Sequence, residues 1–268
     1  MEYISTRNTQ KTFSFKDVFL KGLAPDGGLF VPKKIPTFSF DELNKLKALS
    51  YRDLAVKIIL KFCNDEFDEK EIKDIVSNSY KNFRVQNVVK IKKIKNANLL
   101  ELFHGPTLAF KDIAMQIIGN MYEKILRENN LKINIVVATS GDTGAAAIDA
   151  IKERKNMKIF VLHPHNKISE IQRKLMTTVN SSNVFNISLD GNFDDCQKLI
   201  KLMFADKKFS SSINMSGVNS INWSRIVIQI VYYFFSYFQV AKENKKISYS
   251  VPTGNFGDIY AGYIAKKM

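Results

Sequence analysis

The chain has 268 residues, 45% hydrophobic and 25% charged, which excludes disordered, collagen-like and coiled-coil classes and suits one large domain or two smaller ones. Its formal charge is +14, yet only seven of the 40 basic residues are arginine, and scattered lysines point away from nucleic acid, whose readers lean on arginine. Two cysteines, Cys63 and Cys196, build no disulfide framework or metal motif, and the polar start MEYISTRNTQ carries no secretory pattern, so a reducing, cytoplasmic setting is expected.

Up to about residue 90 the pattern predicts turns and helices. GLAPDGGLFVP (22–32) is a Gly/Pro turn region. Helices are predicted over 39–49, 51–62 and 69–80, with Asp41 or Asp68 as capping side chains. KIKKIKN (90–96) alternates lysine with isoleucine and reads as a solvated strand edge. From residue 96 short apolar runs alternate with helix-length segments. Strands are predicted over 98–103, 133–138, 158–162, 184–189 and 247–251, and helices over 107–128, 143–155, 168–179, 192–205 and 220–242. That alternation implies an α/β fold, with parallel strands covered by helices. A domain boundary is therefore expected near residue 90, dividing the chain into 1–90 and 91–268. The most apolar stretch, IVIQIVYYFFSYFQVA (226–241), is shorter than the roughly 20 residues a bilayer crossing needs; it predicts a buried core helix and no membrane partner.

Two glycine-rich turns each follow a predicted strand and open a predicted helix: ATSGDTGAAA (138–147) and VPTGNFGD (251–258). Backbone N–H groups at a helix start are unpaired and lie at the positive end of the dipole, and glycine lets a ligand approach closely. Each turn is a candidate anion cradle. Neither is a Walker loop or a G-x-G-x-x-G fingerprint. Two cradles in one α/β chain suit a ligand with two anionic ends, or a phosphorylated cofactor beside an anionic substrate.

A third segment, LFHGPTLAFKD (102–112), places Pro106 where a helix can begin, with Lys111 about a turn inside. Apolar neighbours would strip hydration from Lys111 and favour its neutral, nucleophilic amine; on spacing alone it is equally one solvated lysine among many. His104 could line a pocket or hydrogen-bond locally. His163 and His165 lack a third ligand in sequence and read as a polar loop, and Cys196 as packing.

Taken together, these segments resemble the threonine synthase family, of the longer bacterial and fungal type. LFHGPTLAFKD is similar to its cofactor-lysine segment. ATSGDTGAA, KISEIQRKL (167–175), NSINWSR (219–225) and VPTGNFGD follow in order, and Ser5-Thr6-Arg7 with GLAPDGGLFVP resembles its N-terminal domain. The resemblance implies a fold-type-II scaffold like the tryptophan synthase β chain and pyridoxal 5′-phosphate as cofactor. Lys111 matches the lysine of the internal Schiff base. Gly254, Asn255, Phe256, Gly257 and Asp258 match the loop that holds the cofactor phosphate. Thr139, Ser140, Gly141, Asp142 and Thr143 match the loop that meets the substrate carboxylate. Lys167 and Arg225 are candidates for the substrate phosphate.

The implied reaction converts O-phospho-L-homoserine and water to L-threonine and phosphate, with the cofactor as electron sink and Lys111 moving most of the protons. Family members run beyond 268 residues, so the large domain is expected to be incomplete here. Ile259, Tyr260, Tyr263 and Ile264 would then lack partners. Two other readings stand beside this one: an amino-acid dehydratase on the same scaffold, and a non-catalytic relative that binds cofactor or a partner only.

Overall fold

The computed structural model describes residues 1–218, 222–242, 246–252 and 254–268. Residues 219–221 of NSINWSR, including the expected helix start at 220, and residue 253 of VPTGNFGD lie outside the described residues.

The chain opens with β1 (Tyr3–Ser5), β2 (Thr12–Phe13), α1 (Phe15–Lys21) and β3 (Phe30–Pro32). These three strands form an antiparallel sheet in the order β2-β1-β3. Strands of two or three residues are too short to show alternation, so sequence patterning passes over them. The helices α2 (Phe40–Lys47), α3 (Tyr51–Cys63) and α4 (Glu69–Tyr80) follow as expected. Ser39, Ser50 and Asp68 cap them, each accepting a backbone N–H three residues on. Asp41 is not a cap; it sits in the first turn of α2, where its charge faces the positive end of the dipole.

Next come β4 (Lys90–Ile94) and β5 (Ala97–Glu101), an antiparallel hairpin with an exposed face. The run at 98–103 is therefore no member of the parallel sheet. Lys95, at φ 47°, makes a tight turn, and pairing with the adjacent run closes a shorter loop than reaching a distant strand.

The α/β part comprises α5 (Lys111–Glu128), β6 (Ile133–Ala138), α6 (Asp142–Ile151), β7 (Met157–Pro164), α7 (Glu170–Thr177), β8 (Val184–Leu189), α8 (Phe193–Ala205), α9 (Lys207–Ser212), β9 (Met215–Ser216), α10 (Trp223–Val240) and α11 (Gly257–Lys267). The sheet is parallel in the order β8-β7-β6-β9. Ile135 and Val137 of β6 and Ile159 and Val161 of β7 are fully buried, as a sheet covered by helices requires. Two expectations change here. The two-residue β9 takes the edge beside β6, and 247–251 is not a strand. Its Ile247 and Val251 are only half-buried. Tyr249 instead docks on α10: its ring centroid lies 5.1 Å from that of Tyr233, and its hydroxyl donates to the Tyr233 carbonyl at 3.3 Å.

Helix α10 is the axis of the core. Every residue from Trp223 to Ser236 is buried, matching the core helix expected at 226–241. The amino-terminal helices pack on it through rings: Tyr51 lies 5.3 Å from Phe235, and Phe62 lies 6.0 Å from Trp223. Among the described residues no helix is long and apolar enough to cross a membrane. On α11, Ile259, Tyr260 and Tyr263 are exposed as expected, but Ile264 is buried. It shares a face with Ala261, three residues back, and that face is covered.

Helices α5 and α6 meet at Gly119, where an added Cβ would lie 2.5 Å from the Ala150 carbonyl oxygen. Gly119→Ala should therefore lower Tm. Overpacking costs about 2–3 kcal/mol and alanine's helix preference returns about 1, for a net fall of about 5 °C in a thermal melt. An unchanged or raised Tm would show that the two helices separate freely.

Candidate active site

Lys111 is the first residue of α5, not a residue one turn inside it. The expected start at 107 fails because Leu108 takes φ 63° and Asp112 folds back. The Asp112 carboxylate accepts the Thr107 N–H at 2.8 Å and the Thr107 hydroxyl at 2.6 Å, holding the preceding residues as turns. Burial pushes the Asp112 carboxyl up to about 6. The Lys111 amine therefore projects from a helix start into a hollow. Its Nζ lies 3.2 Å from Asp142 Oδ2 and 4.6 Å from the Phe110 ring centroid. Burial draws its pKa below the usual lysine range; Asp142 and Asp258 oppose that shift and Arg225 adds to it.

The turn at 139–144 joins β6 to α6. Thr139 Oγ1 accepts from both Gly141 N and Gly144 N at 2.9 Å. Gly141 has φ 139°, a conformation side chains rarely adopt. The Asp142 and Thr143 N–H groups open α6 and have no helical acceptor. The second turn leads into α11. Phe256 holds φ 57° at the N-cap. Asp258, in the first turn, accepts hydrogen bonds from the hydroxyls of Tyr232 and Tyr233. Two α10 side chains thereby fix where α11 begins, although Gly254, Asn255 and Phe256 are themselves exposed.

Arg225 completes the site from α10. Only 4% of it is exposed, and its Nε has no hydrogen-bond partner among the described residues. Burial pushes the guanidinium down to about 10, with Tyr232 and Asp258 pulling the other way. One cavity of about 270 Å³ is lined by Lys111, Thr139, Ser140, Thr143, Arg225 and 254–258. A larger hollow of about 470 Å³, beside β4 and the end of α10, is lined by Lys90, Lys93 and Lys242 and, among the described residues, by no acid.

Gly141 and Asp142 are not among the residues that line the cavity, and Asp142 meets it through its bond to Lys111. Lys167 is exposed on the loop before α7 and does not line the cavity. His104 bonds locally to Glu101 at 3.1 Å. His165 bonds Ser188 at 2.9 Å. Phe110, one of the apolar neighbours expected around Lys111, lines the cavity; sequence reasoning passed over Phe193, Gln229 and Pro252, which also line it, and Gln172, which bonds Asp142. Gln229 carried one legible signal, its position one turn after Arg225 on the same helix face.

Residues 2–80 match the family described as threonine synthase N terminus. Over its full length the chain is 45% identical to threonine synthase of Pseudomonas aeruginosa and spans 57% of that protein. Over 99% of its length it is 46% identical to threonine synthase of Saccharomyces cerevisiae, spanning 55% of it. A crystal structure of PLP-bound threonine synthase from Brucella melitensis superposes on the whole chain with a TM-score of 0.91 at 44% identity, the chain covering 58% of that structure. The chain thus spans a little over half the length of the proteins it matches.

Proposed function

The chain belongs to the threonine synthase family, and from that premise we propose that it carries the cofactor-lysine side of a site converting O-phospho-L-homoserine and water to L-threonine and phosphate. The observation that carries this reading is the Lys111 amine, drawn below the usual lysine range, in one cavity with two helix starts and a buried guanidinium whose Nε has no hydrogen-bond partner among the described residues. An aldehyde-bearing phosphate fits that donor set: an amine to bind the carbonyl, N–H groups and a cation to bind the anion.

Lys111 would hold pyridoxal 5′-phosphate covalently, and the backbone of Gly254, Asn255, Phe256 and Gly257 would cradle its phosphate, with Asp258 fixing the start of α11. When bound, the cofactor supplies a conjugated ring that accepts electron density from the substrate's Cα. The remaining work falls to side chains of this chain. The Lys111 amine, which burial makes easier to deprotonate than an exposed lysine, moves protons at its Nζ. Ser140 and Thr143, with the first N–H groups of α6, would hold the substrate carboxylate. Thr139 and Gly141 shape that turn. Asp142, an acid facing the lysine, is ill suited to hold a second carboxylate and serves Lys111 instead. Arg225 is the better placed cation for the substrate phosphate, since Lys167 stands outside the cavity.

We assign the cofactor site to 91–268 and the family's amino-terminal domain to 1–90. Support for a boundary there comes from the hairpin that begins at Lys90. Cytoplasmic placement is supported by two buried free thiols, Cys63 and Cys196.

An absorbance scan with pyridoxal phosphate, before and after borohydride, tests the reading. A visible band that borohydride bleaches, with cofactor left on the Lys111 peptide, is expected. Its absence would overturn the assignment. Phosphate release from phosphohomoserine, set against ammonia release from threonine, separates this reaction from that of a dehydratase. A chromophore without turnover identifies the non-catalytic relative.

A further inference from the structure

We propose that Gln172, on α7, is the positioning residue that holds Asp142 against Lys111, so that α7 sets the state of the lysine. The inference rests on the reading of Lys111 given above. The Asp142 carboxylate is divided between two donors. Its Oδ1 accepts from Gln172 Nε2 at 2.5 Å, and its Oδ2 accepts from Lys111 Nζ at 3.2 Å. The amide of Gln172 is itself oriented. Ser169 Oγ donates to Gln172 Oε1 at 3.0 Å and accepts the Gln172 N–H at 3.3 Å. The amide nitrogen is thereby left facing Asp142. A neutral amide suits this task, because a cation there would compete with Lys111 for the carboxylate.

The fit between α6 and α7 is built for this contact. A Cβ on Gly141 would come within 2.5 Å of Gln172 Cδ and Oε1, and one on Gly144 within 2.5 Å of Met176 Sδ. Gln172 and Met176 are one turn apart on α7, and the two glycines are three residues apart on the loop and first turn of α6. The bare backbone at both positions lets α7 settle against the turn. Met176, fully buried, anchors the helix while Gln172 reaches the carboxylate.

The charged groups facing the Lys111 amine are Asp142 from α6, Asp258 from α11 and Arg225 from α10. Among the described residues, only Asp142 is hydrogen-bonded to it. If Gln172 holds that carboxylate in place, its removal should weaken the ion pair and ease loss of the lysine proton.

The test is pH-dependent acetylation of the cofactor-free 268-residue chain, with the Lys111 peptide followed by mass spectrometry. Asp142→Asn should lower the Lys111 labelling midpoint by about one pH unit, a tenfold change in proton affinity. Gln172→Met, which keeps length and packing but loses the donor, should lower it by about half a unit. In the Asp142→Asn background, Gln172→Met should add no shift, because the amide acts only through the carboxylate. Gln172→Ala gives a second readout if Met disturbs α7. A midpoint unmoved by both Gln172 variants, or moved equally with and without Asp142, would overturn the proposal. Since the readout needs no cofactor, failure of pyridoxal phosphate uptake in the same preparation would count against the function and not against the clamp.

Discussion

Lys111→Ala is expected to abolish the borohydride-fixed cofactor band and to lower turnover by about a thousandfold or more. The reasoning starts from what the side chain does not do. Lys111 is the first residue of α5, so its side chain stabilises no later turn, and alanine is the best helix former. Its amine is drawn into the cavity, where burial favours the neutral form and Asp142 only partly restores the charge. Removing it deletes one desolvated cation and leaves Asp142 bonded to Gln172. Tm should therefore stay close to that of the parent chain while chemistry is lost. A variant that melted normally yet kept a bleachable band would move the covalent attachment to another lysine.

Much of the fold was legible because burial leaves a mark in composition. Strands β6 and β7 each carry four consecutive apolar residues, 135–138 and 159–162, β8 is an apolar strand broken by Asn186 and Ser188, and α4 was delimited to the residue. The glycine turns were legible for a conformational reason, since Gly141 holds a φ that side chains rarely adopt. What was missed depends on contacts between distant residues. Nothing near 215 marks a two-residue strand; β9 forms only because β6 presents an open edge. The end of α5 was visible but its start was not, because Asp112 bonding back to Thr107 is a tertiary detail within one segment. Gln172 looks like an ordinary surface polar residue in a helical pattern, Gln229 like a stray polar residue in a core helix, and their roles depend on which helix faces them. Lys167 was overread for the opposite reason: its motif neighbours Ser169 and Gln172 carry the contacts, and the lysine itself faces solvent.

Arg225→Met should raise the stability of the ligand-free chain while weakening its stabilisation by inorganic phosphate. Arg225 is 4% exposed and its Nε has no partner among the described residues, so the fold carries a buried charge whose hydration is not fully replaced. Burial pushes its pKa down to about 10, which corresponds to an order-of-magnitude penalty of about 3 kcal/mol. The sign follows from linkage. The folded chain binds this proton less tightly than the unfolded chain, so the penalty is fully present below about pH 10 and declines as pH rises from there towards the ordinary arginine range. At neutral pH, methionine, which is apolar and nearly as long, should raise Tm by about 5 °C or more. Inorganic phosphate should then raise the Tm of the parent chain more than that of the variant, whereas pyridoxal phosphate, held through Lys111 and the 254–257 turn, should raise both, because ligand stabilisation requires binding to the folded state. The two melting series should converge as inorganic phosphate is added. If Arg225→Met instead melted lower without any ligand, the guanidinium would be a structural member of the core, and the substrate phosphate would need another cation.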